Sequence, residues 1–513
     1  MQNVTITWQE YERLLHLEKE VSRLQDAVDF LTNAHRLGQV KRFGSSSEQS
    51  QYDQISLFNE AEFTADTSVP EPEMTEVKAY HRKTARTRKE SLPEDLPVET
   101  IEYVLQGEEA QCPQCACAME TIGKHVRETL KIIPAQALIR REIQYTYACP
   151  CCEKEACKTP VKKASMPPAL LSGSIASAES VAQIMVQKFV MGSPLYRQEQ
   201  EWGRQGLPLS RQTMSNWLLS CSERYLKAVY DLLHQRLLRE EILHADETTL
   251  QVLREEGKAA QSKSYMWLYR TGKHTLHPIV LYEYQPDRKG RRPVDYLQGF
   301  EGYLHTDGYS GYRVLPKSIV LVGCLAHARR KFDEALKSMP SSSQADSLAW
   351  KGKQYCDRLF LLEREWGKLS AEDRYKGRQE KSVPLLSEFY TWLRSLNVSS
   401  RSIFGKAVTY CIQQEIYLRR YLLDGRLEIS NNLAERSIKP FVIGRKNFLF
   451  ANTARGATAS AVIYSLIETA KANQINPYEY LLFVLKKAPS MDLKNHPEQA
   501  QFLLPEAFKN RGS

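Results

Sequence analysis

The sequence predicts a modular chain whose heart is a mixed α/β core with a helical insertion. Three observations predict it. Between Glu241 and Cys324 five β-rich runs follow one another, the first three in hairpin order and the last two alternating with helical pieces. A polar, helix-patterned stretch then fills residues 335–425. Upstream, a leucine heptad, two C-x-x-C pairs and a run of helices precede the core.

With 513 residues the chain is long enough for several domains and a large core. A hydrophobic fraction of 42% is ordinary for a soluble protein with polar extensions. The net charge of +9 comes from 70 Lys and Arg against 61 Asp and Glu, so its weight lies in where it clusters. No apolar run approaches a membrane span, and MQNVTITWQEYERLL has no signal-peptide pattern, so a cytosolic location is expected. Eleven cysteines in that compartment suggest metal ligation or buried thiols rather than disulfides.

In residues 1–45, Leu14, Leu17, Val21, Leu24, Val28 and Leu31 alternate spacings of three and four, with charged residues between them. That period predicts a coiled coil, and hence a homo-oligomer; a single amphipathic helix docked on its own protein is the other reading. Gly44 and a serine cluster end the helix. Residues 46–100 are poor in apolar residues, acidic and then basic, and read as a flexible linker.

Residues 101–160 read as a zinc-binding domain. Cys112 with Cys115 and Cys149 with Cys152 can each present two thiolates to one tetrahedral Zn²⁺, and Cys151 can replace Cys152. Four thiolates leave no open coordination position, so this zinc is structural. Residues 170–240 read as helices throughout, with Gly206–Ser210 as a turn and Ser210 as N-cap. A helix opening with Arg211, Gln212 and Thr213 after that turn resembles a helix-turn-helix whose second helix enters a DNA groove. An ordinary helical hairpin has the same pattern.

The core begins with EILHADETTLQVL (241–253), a strand with Asp246 at its centre, and runs to residue 334. A carboxylate in an apolar strand is expensive unless its charge is compensated, and a metal ion is one compensation. SYMWLYRTG and TLHPIVLYEYQ follow as a hairpin, then GYLHTDGYSGY with Asp307, SIVLVGC and the helix LAHARRKFDEALK. Three antiparallel strands followed by strand–helix units suit an RNase H-like sheet. Two acids on adjacent strands can hold Mg²⁺ and support in-line attack on a phosphodiester. The second part of the core, residues 426–475, supplies a third acid; residues 476–513 form a C-terminal segment. Glu428 and Glu435 are rivals for that role. Asn432-Leu-Ala-Glu435 also fits a capping box in which Glu435 only ties down a helix start.

HADETTLQV, LHTDGYSGY, CLAHARRKF and SNNLAERSIKPFVIGRKNFLF, in this order, resemble the IS66 family of bacterial insertion-sequence transposases. The heptads, KRFGSSSE, the cysteine pairs and NPYEYLLFVLKKAP extend the resemblance over nearly the whole chain. It implies a DDE transposase with an RNase H-like core, in which Asp246, Asp307 and Glu435 bind two Mg²⁺ ions, with Mn²⁺ as a substitute. It also implies a bacterial, nucleoid-associated protein whose partners are double-stranded DNA, both element ends and target, and small companion proteins from the same element. Cys324 and His327 form a C-x-x-H read as structural support near the site, or as a buried Cys beside a helix-start His. Arg329, Arg330, Lys331, Arg436, Lys439, Arg445 and Lys446 border the acids and suit a phosphate backbone. Phe448 and Phe450 are expected in the core. The alternative function is a catalytically inactive zinc and helix-turn-helix regulator; a structure-specific nuclease is a third.

Overall fold

A computed structural model of the chain describes residues 7–43, 100, 136–148 and 161–512. The zinc-ligand candidates Cys112, Cys115, Cys149, Cys151 and Cys152 lie outside these, as do the linker residues 46–99. The chain divides into two units, residues 1–46 with 144–513 and residues 47–143; the account that follows concerns the first.

Helix α1 (Trp8–Phe43) is one uninterrupted helix. It touches the core helices near its half-buried Asn33, Ala34 and Leu37. Its heptad residues face solvent, from Leu17 at 45% exposed to Leu31 at 65%. Strands β1 (Thr146–Ala148) and β2 (Val161–Lys163) then pair antiparallel. Four helices follow: α2 (Ala178–Phe189), α3 (Leu195–Arg204), α4 (Arg211–Cys221) and α5 (Lys227–Leu237). Ser210 caps α4 by accepting the Thr213 N–H at 3.1 Å, as its sequence position predicts. The apolar faces of these helices share one core with the sheet, through Val181, Met185, Trp217 and Leu233.

The sheet is built on β3 (Ile242–Arg254), with β4 (Lys263–Thr271), β5 (Val280–Gln285), β6 (Gly302–His305) and β7 (Ile319–Val322) in the order β5-β4-β3-β6-β7. The hairpin strands β3, β4 and β5 are antiparallel; β6 and β7 run parallel to β3. The short helix α6 (Arg291–Tyr296) links β5 to β6. Gly302 opens β6 with φ of +142°, and a Cβ there would lie 2.3 Å from the Glu241 carbonyl oxygen. Only glycine lets β6 start that close to β3.

After β7 come α7 (Leu325–Lys337) and the helical insertion, α8 (Leu348–Glu365), α9 (Ala371–Gly377), α10 (Val383–Ser395) and α11 (Ile403–Leu418). The insertion has its own apolar centre, where Phe332 of α7 meets Leu386, Phe389 and Cys411. A buried ion-pair cluster closes it. Glu363 pairs with Arg374 and Arg378, and Arg378 donates to the carbonyls of Tyr421, Asp424 and Leu427. These bonds fix the loop that returns the chain to the sheet.

Helix α12 (Asn432–Phe448) packs across β3 and β4. It has 17 residues and opens one residue after Asn431, with Glu435 in its first turn. The capping box is absent: the N-cap is Asn431, and its side chain makes no capping bond. Strand β8 (Ala451–Thr453) returns parallel to the far end of β3, pairing Ala451 with Val252. Helices α13 (Ala454–Ala472), α14 (Pro477–Lys487) and α15 (Pro505–Lys509) complete the core. Helix α13 lies along β5, where Ser465 Oγ accepts the Tyr282 N–H at 2.7 Å and Thr469 Oγ1 bonds the Val280 N–H and carbonyl, each at 3.0 Å. On the opposite side, Arg420 donates to the Leu321 carbonyl of β7 at 2.9 Å.

Candidate active site

Three elements converge where the parallel strands end. Asp246 is half-buried on β3, and its Oδ1 accepts the Glu247 N–H at 2.8 Å. Asp307 stands two residues beyond the end of β6, in the turn that Gly308 allows with φ of +92°. Its Oδ1 accepts the Tyr309 N–H at 2.9 Å, and its carbonyl accepts the Tyr410 hydroxyl of α11 at 3.3 Å. Glu435 sits in the first turn of α12, with Oε1 3.8 Å from His327 Nε2 and Oε2 3.5 Å from Arg330. Burial pushes the Asp246 carboxyl well above the usual range, and the charges of Glu247, Asp307 and Glu435 push it the same way. The charges of both other acids thus reach Asp246.

Strand register brings the first two together. His244-Ala-Asp246 and His305-Thr-Asp307 are two H-x-D triplets, and the parallel pairing of β3 with β6 sets His244 beside His305. Their rings stack 4.2 Å apart at 8°, both fully buried, and burial lowers both imidazoles; His244 falls to about 3. Asn431 brings in the third acid. Its Nδ2 donates to the Ala245 carbonyl at 2.8 Å, its Oδ1 lies 3.0 Å from His244 Nδ1, and its N–H donates to Cys324 Sγ at 3.1 Å. Its own carbonyl accepts the Glu435 N–H at 3.2 Å. One buried amide therefore joins the strand of Asp246, the start of α7 and the helix of Glu435.

Cys324 is buried, its thiol pushed up to about 11 by burial, so it stays protonated at neutral pH. A sulfur, nitrogen and oxygen of Cys324, His327 and Glu435 lie within 4.8 Å of one another. Burial lowers His327, against the opposing pull of the Glu435 charge. Glu428, the rival acid, lines a separate pocket of about 280 Å³ with Lys273, Arg364 and Arg436.

Composition and spacing did not single out Glu247 and Arg288. The Glu247 carboxylate is buried, accepts the Tyr312 hydroxyl at 2.6 Å and is clamped by Arg288, whose guanidinium stacks 3.7 Å from the Tyr309 ring and lies 4.0 Å from Asp307. Asn431, His244 and His305 were also passed over, although the repeated H-x-D triplet was a visible signal for both histidines.

The basic residues divide. Arg436, Lys439 and Lys446 are exposed on α12. Arg330 reaches Glu435, Arg329 pairs with Asp357, and Lys331 lies 4.9 Å over the Tyr410 ring. Arg445 turns inward to the Thr249 carbonyl and to Thr248 Oγ1, tying α12 to β3. At the start of α4, Arg211 and Gln212 are exposed, whereas Thr213 bonds Ser210 Oγ at 2.9 Å. Phe448 packs against the core, but Phe450, expected there too, is 42% exposed because the chain turns outward at Leu449.

Comparison with known proteins places these residues in a family. The model of the transposase IS66 family matches residues 173–459, which take in Asp246, Asp307, Glu435 and the side chains around them. A zinc-finger binding domain of transposase IS66 matches 109–153, the stretch that holds both cysteine pairs, and supports a structural zinc. Transposase C of IS166 homeodomain matches 31–101, taking in the stretch whose composition reads as linker, and the IS66 C-terminal element matches 465–505. Three relatives from Sinorhizobium fredii (strain NBRC 101917 / NGR234) agree. The uncharacterized protein y4jD is 31% identical over 432 residues, 82% of this chain and 81% of its own. The uncharacterized proteins y4qI and y4hP are 32% and 30% identical over 75% and 77% of this chain, and 71% and 73% of theirs. No helix among the described residues is long and apolar enough to cross a membrane. The chain belongs to the IS66 family of transposases.

Proposed function

We propose that this chain is a DDE-type DNA transposase with an RNase H-like core, in which Asp246, Asp307 and Glu435 hold divalent metal and act on a phosphodiester. The observation that carries this reading is the convergence of three carboxylates from β3, the β6 turn and α12, with Asp246 held well above its usual pKa by burial and by its acidic neighbours. Such a group is stabilised by a hard cation with oxygen preference, so the donor set fits Mg²⁺ or Mn²⁺. Glu435 Oε1 is buried and has no hydrogen-bond partner, as befits an oxygen kept for a ligand. Three antiparallel strands followed by parallel ones support the RNase H-like assignment.

Two bound ions would supply nucleophile activation and leaving-oxygen stabilisation. The chain's own groups do the rest. Asn431 and the stacked histidines hold Asp246 and Glu435 at fixed separation. Arg330 and the exposed Arg436 and Lys439 offer positive charge to a phosphate backbone approaching the acids. His327 borders Glu435, with its Nε2 3.8 Å from Oε1. Water attack would expose a 3′-hydroxyl, which would then attack target DNA without a covalent protein intermediate. Zinc and helical segments upstream would recognise the element ends, and α1 would pair two chains through its exposed heptads.

The test is a Mg²⁺-dependent cleavage and strand-transfer assay on DNA carrying the element's ends, with wild type beside Asp246→Asn and Glu435→Gln. Joining by wild type, with both variants binding but inert, supports the reading. Specific binding without cutting or joining by wild type, even with companion proteins added, replaces it with a DNA-binding regulator.

A further inference from the structure

Helix α12 carries a stripe of positive charge away from the acids. At about 100° per residue, Glu435, Lys439 and Lys446 lie within about 40° of one another around the helix, with Arg436 further round. All three cations are exposed. The stripe ends at a strained corner. Leu449 has φ of +64° and ψ of −50°, and the Phe450 N–H donates to the Phe448 carbonyl at 2.8 Å. This is the γ-turn of the rarer hand, which a side-chain-bearing residue seldom adopts. Nothing apolar rewards it locally: Leu449 is 64% exposed and Phe450 42%, while Phe448 just before them is packed. The corner is held from both sides, by α12 and by the pairing of β8 with the far end of β3. Backbone strain kept in place by rigid neighbours, with two large apolar side chains projecting beside cations, suits a device that acts on a partner.

We propose that Leu449 and Phe450 form an apolar wedge that enters the base stack of duplex DNA lying along the basic stripe of α12. The proposal rests on the DNA-acting reading above and adds to it a contact and a position. Charge complementarity commits the occupant to DNA, because exposed Lys439 and Lys446 line the helix face that leads from Glu435 to the corner. Leu449 follows Glu435 by fourteen residues, about 21 Å along the axis at ~1.5 Å per residue. At ~3.4 Å per base pair, the unstacked step falls about six base pairs from the phosphodiester at the acids. Leucine and phenylalanine are side chains that proteins insert between base pairs to kink a duplex.

The test uses the full chain and duplexes from the DNA flanking its gene, with 2-aminopurine placed at successive positions in Ca²⁺ so that cutting does not intervene. A fluorescence rise confined to one step, about five to seven base pairs from the cleaved bond, is expected for wild type. Leu449→Ala/Phe450→Ala should lose the rise and bind roughly tenfold more weakly, as for one lost stacking contact. Its salt dependence should be unchanged, whereas Lys439→Ala/Lys446→Ala should keep the rise and bind with a shallower salt slope. Single Phe450→Ala, which leaves the turn intact, guards against a folding defect. If wild type binds DNA with no local rise, the wedge is wrong and the DNA-acting reading stands. If wild type binds no DNA, both fall. If the double variant changes only the sedimenting species, the corner is a contact between copies and the wedge is again wrong.

Discussion

Asn431→Ala should unfasten the site without touching any of its three acids. The side chain makes two bonds, to His244 Nδ1 and to the Ala245 carbonyl, and both partners belong to residues with no exposed surface. Each buried group left without a partner costs about 1–3 kcal/mol, or about 2–6 kcal/mol for the pair. His244 Nε2 already lacks a partner, so the variant leaves a wholly unpartnered imidazole in the core. That argues for the middle of the range or above, about 4 kcal/mol, against a total stability of about 5–15 kcal/mol. For a domain of this size about 1 kcal/mol moves Tm by about 2–4 °C, so a fall of about 8–16 °C is expected. Thermal unfolding by circular dichroism, with and without Mn²⁺, measures it. The variant keeps the backbone carbonyl that accepts the Glu435 N–H but loses the side-chain bond that fastens this turn to β3, so the Mn²⁺-induced rise in Tm should shrink beyond what lost stability explains. A variant melting within about 2 °C of wild type, with its Mn²⁺ response intact, would refute the argument.

Three further outcomes are expected. Glu283, pushed up to about 8 by burial, keeps its proton in the folded chain at pH values where the unfolded chain has lost it. Stability should therefore fall as pH rises from about 4.5 to about 8, and Glu283→Gln should flatten that slope; urea midpoints across the interval decide. Arg445→Ala should lower Tm by about 3–8 °C through its lost bonds to Thr248 and Thr249, with the salt slope of DNA binding unchanged; a weaker slope with unchanged Tm would return Arg445 to the DNA surface. Cys112→Ser/Cys115→Ser should carry about one zinc per chain fewer than wild type in a chromogenic chelator assay, and full zinc content in that variant would send the ligand search to the other cysteines.

Much of the core was legible because β-strands announce themselves by composition. The five runs from Ile242 to Val322 appear as strands in the expected order, and the polar stretch after residue 335 is helical. The sheet's acids were legible because a charged residue inside an apolar strand is conspicuous. What held them together was not. The sequence points to Asn432 as a helix cap and gives its neighbour Asn431 no role. The Asn431 side chain turns to His244 and Ala245, contacts separated from it by 187 and 186 residues that no local pattern encodes. Arg445 looked like a phosphate ligand for the same reason: a basic residue in a basic run carries no mark that it will turn toward a strand. Phe450 failed in the opposite sense, since aromatic character suggests burial and only the backbone corner at Leu449 sends it outward.

The helix hydroxyls along β5 and the arginine on the β7 carbonyl have a consequence for assembly. A strand at the margin of a sheet ordinarily offers free amides and carbonyls to any extended chain that drifts past. Here Ser465 and Thr469 hold those of Val280 and Tyr282 on one margin, and Arg420 holds that of Leu321 on the other. Two copies that met at these positions would therefore have no free margin on which to continue one another's sheet. High local concentration can then be reached without seeding strand-to-strand polymers at these positions.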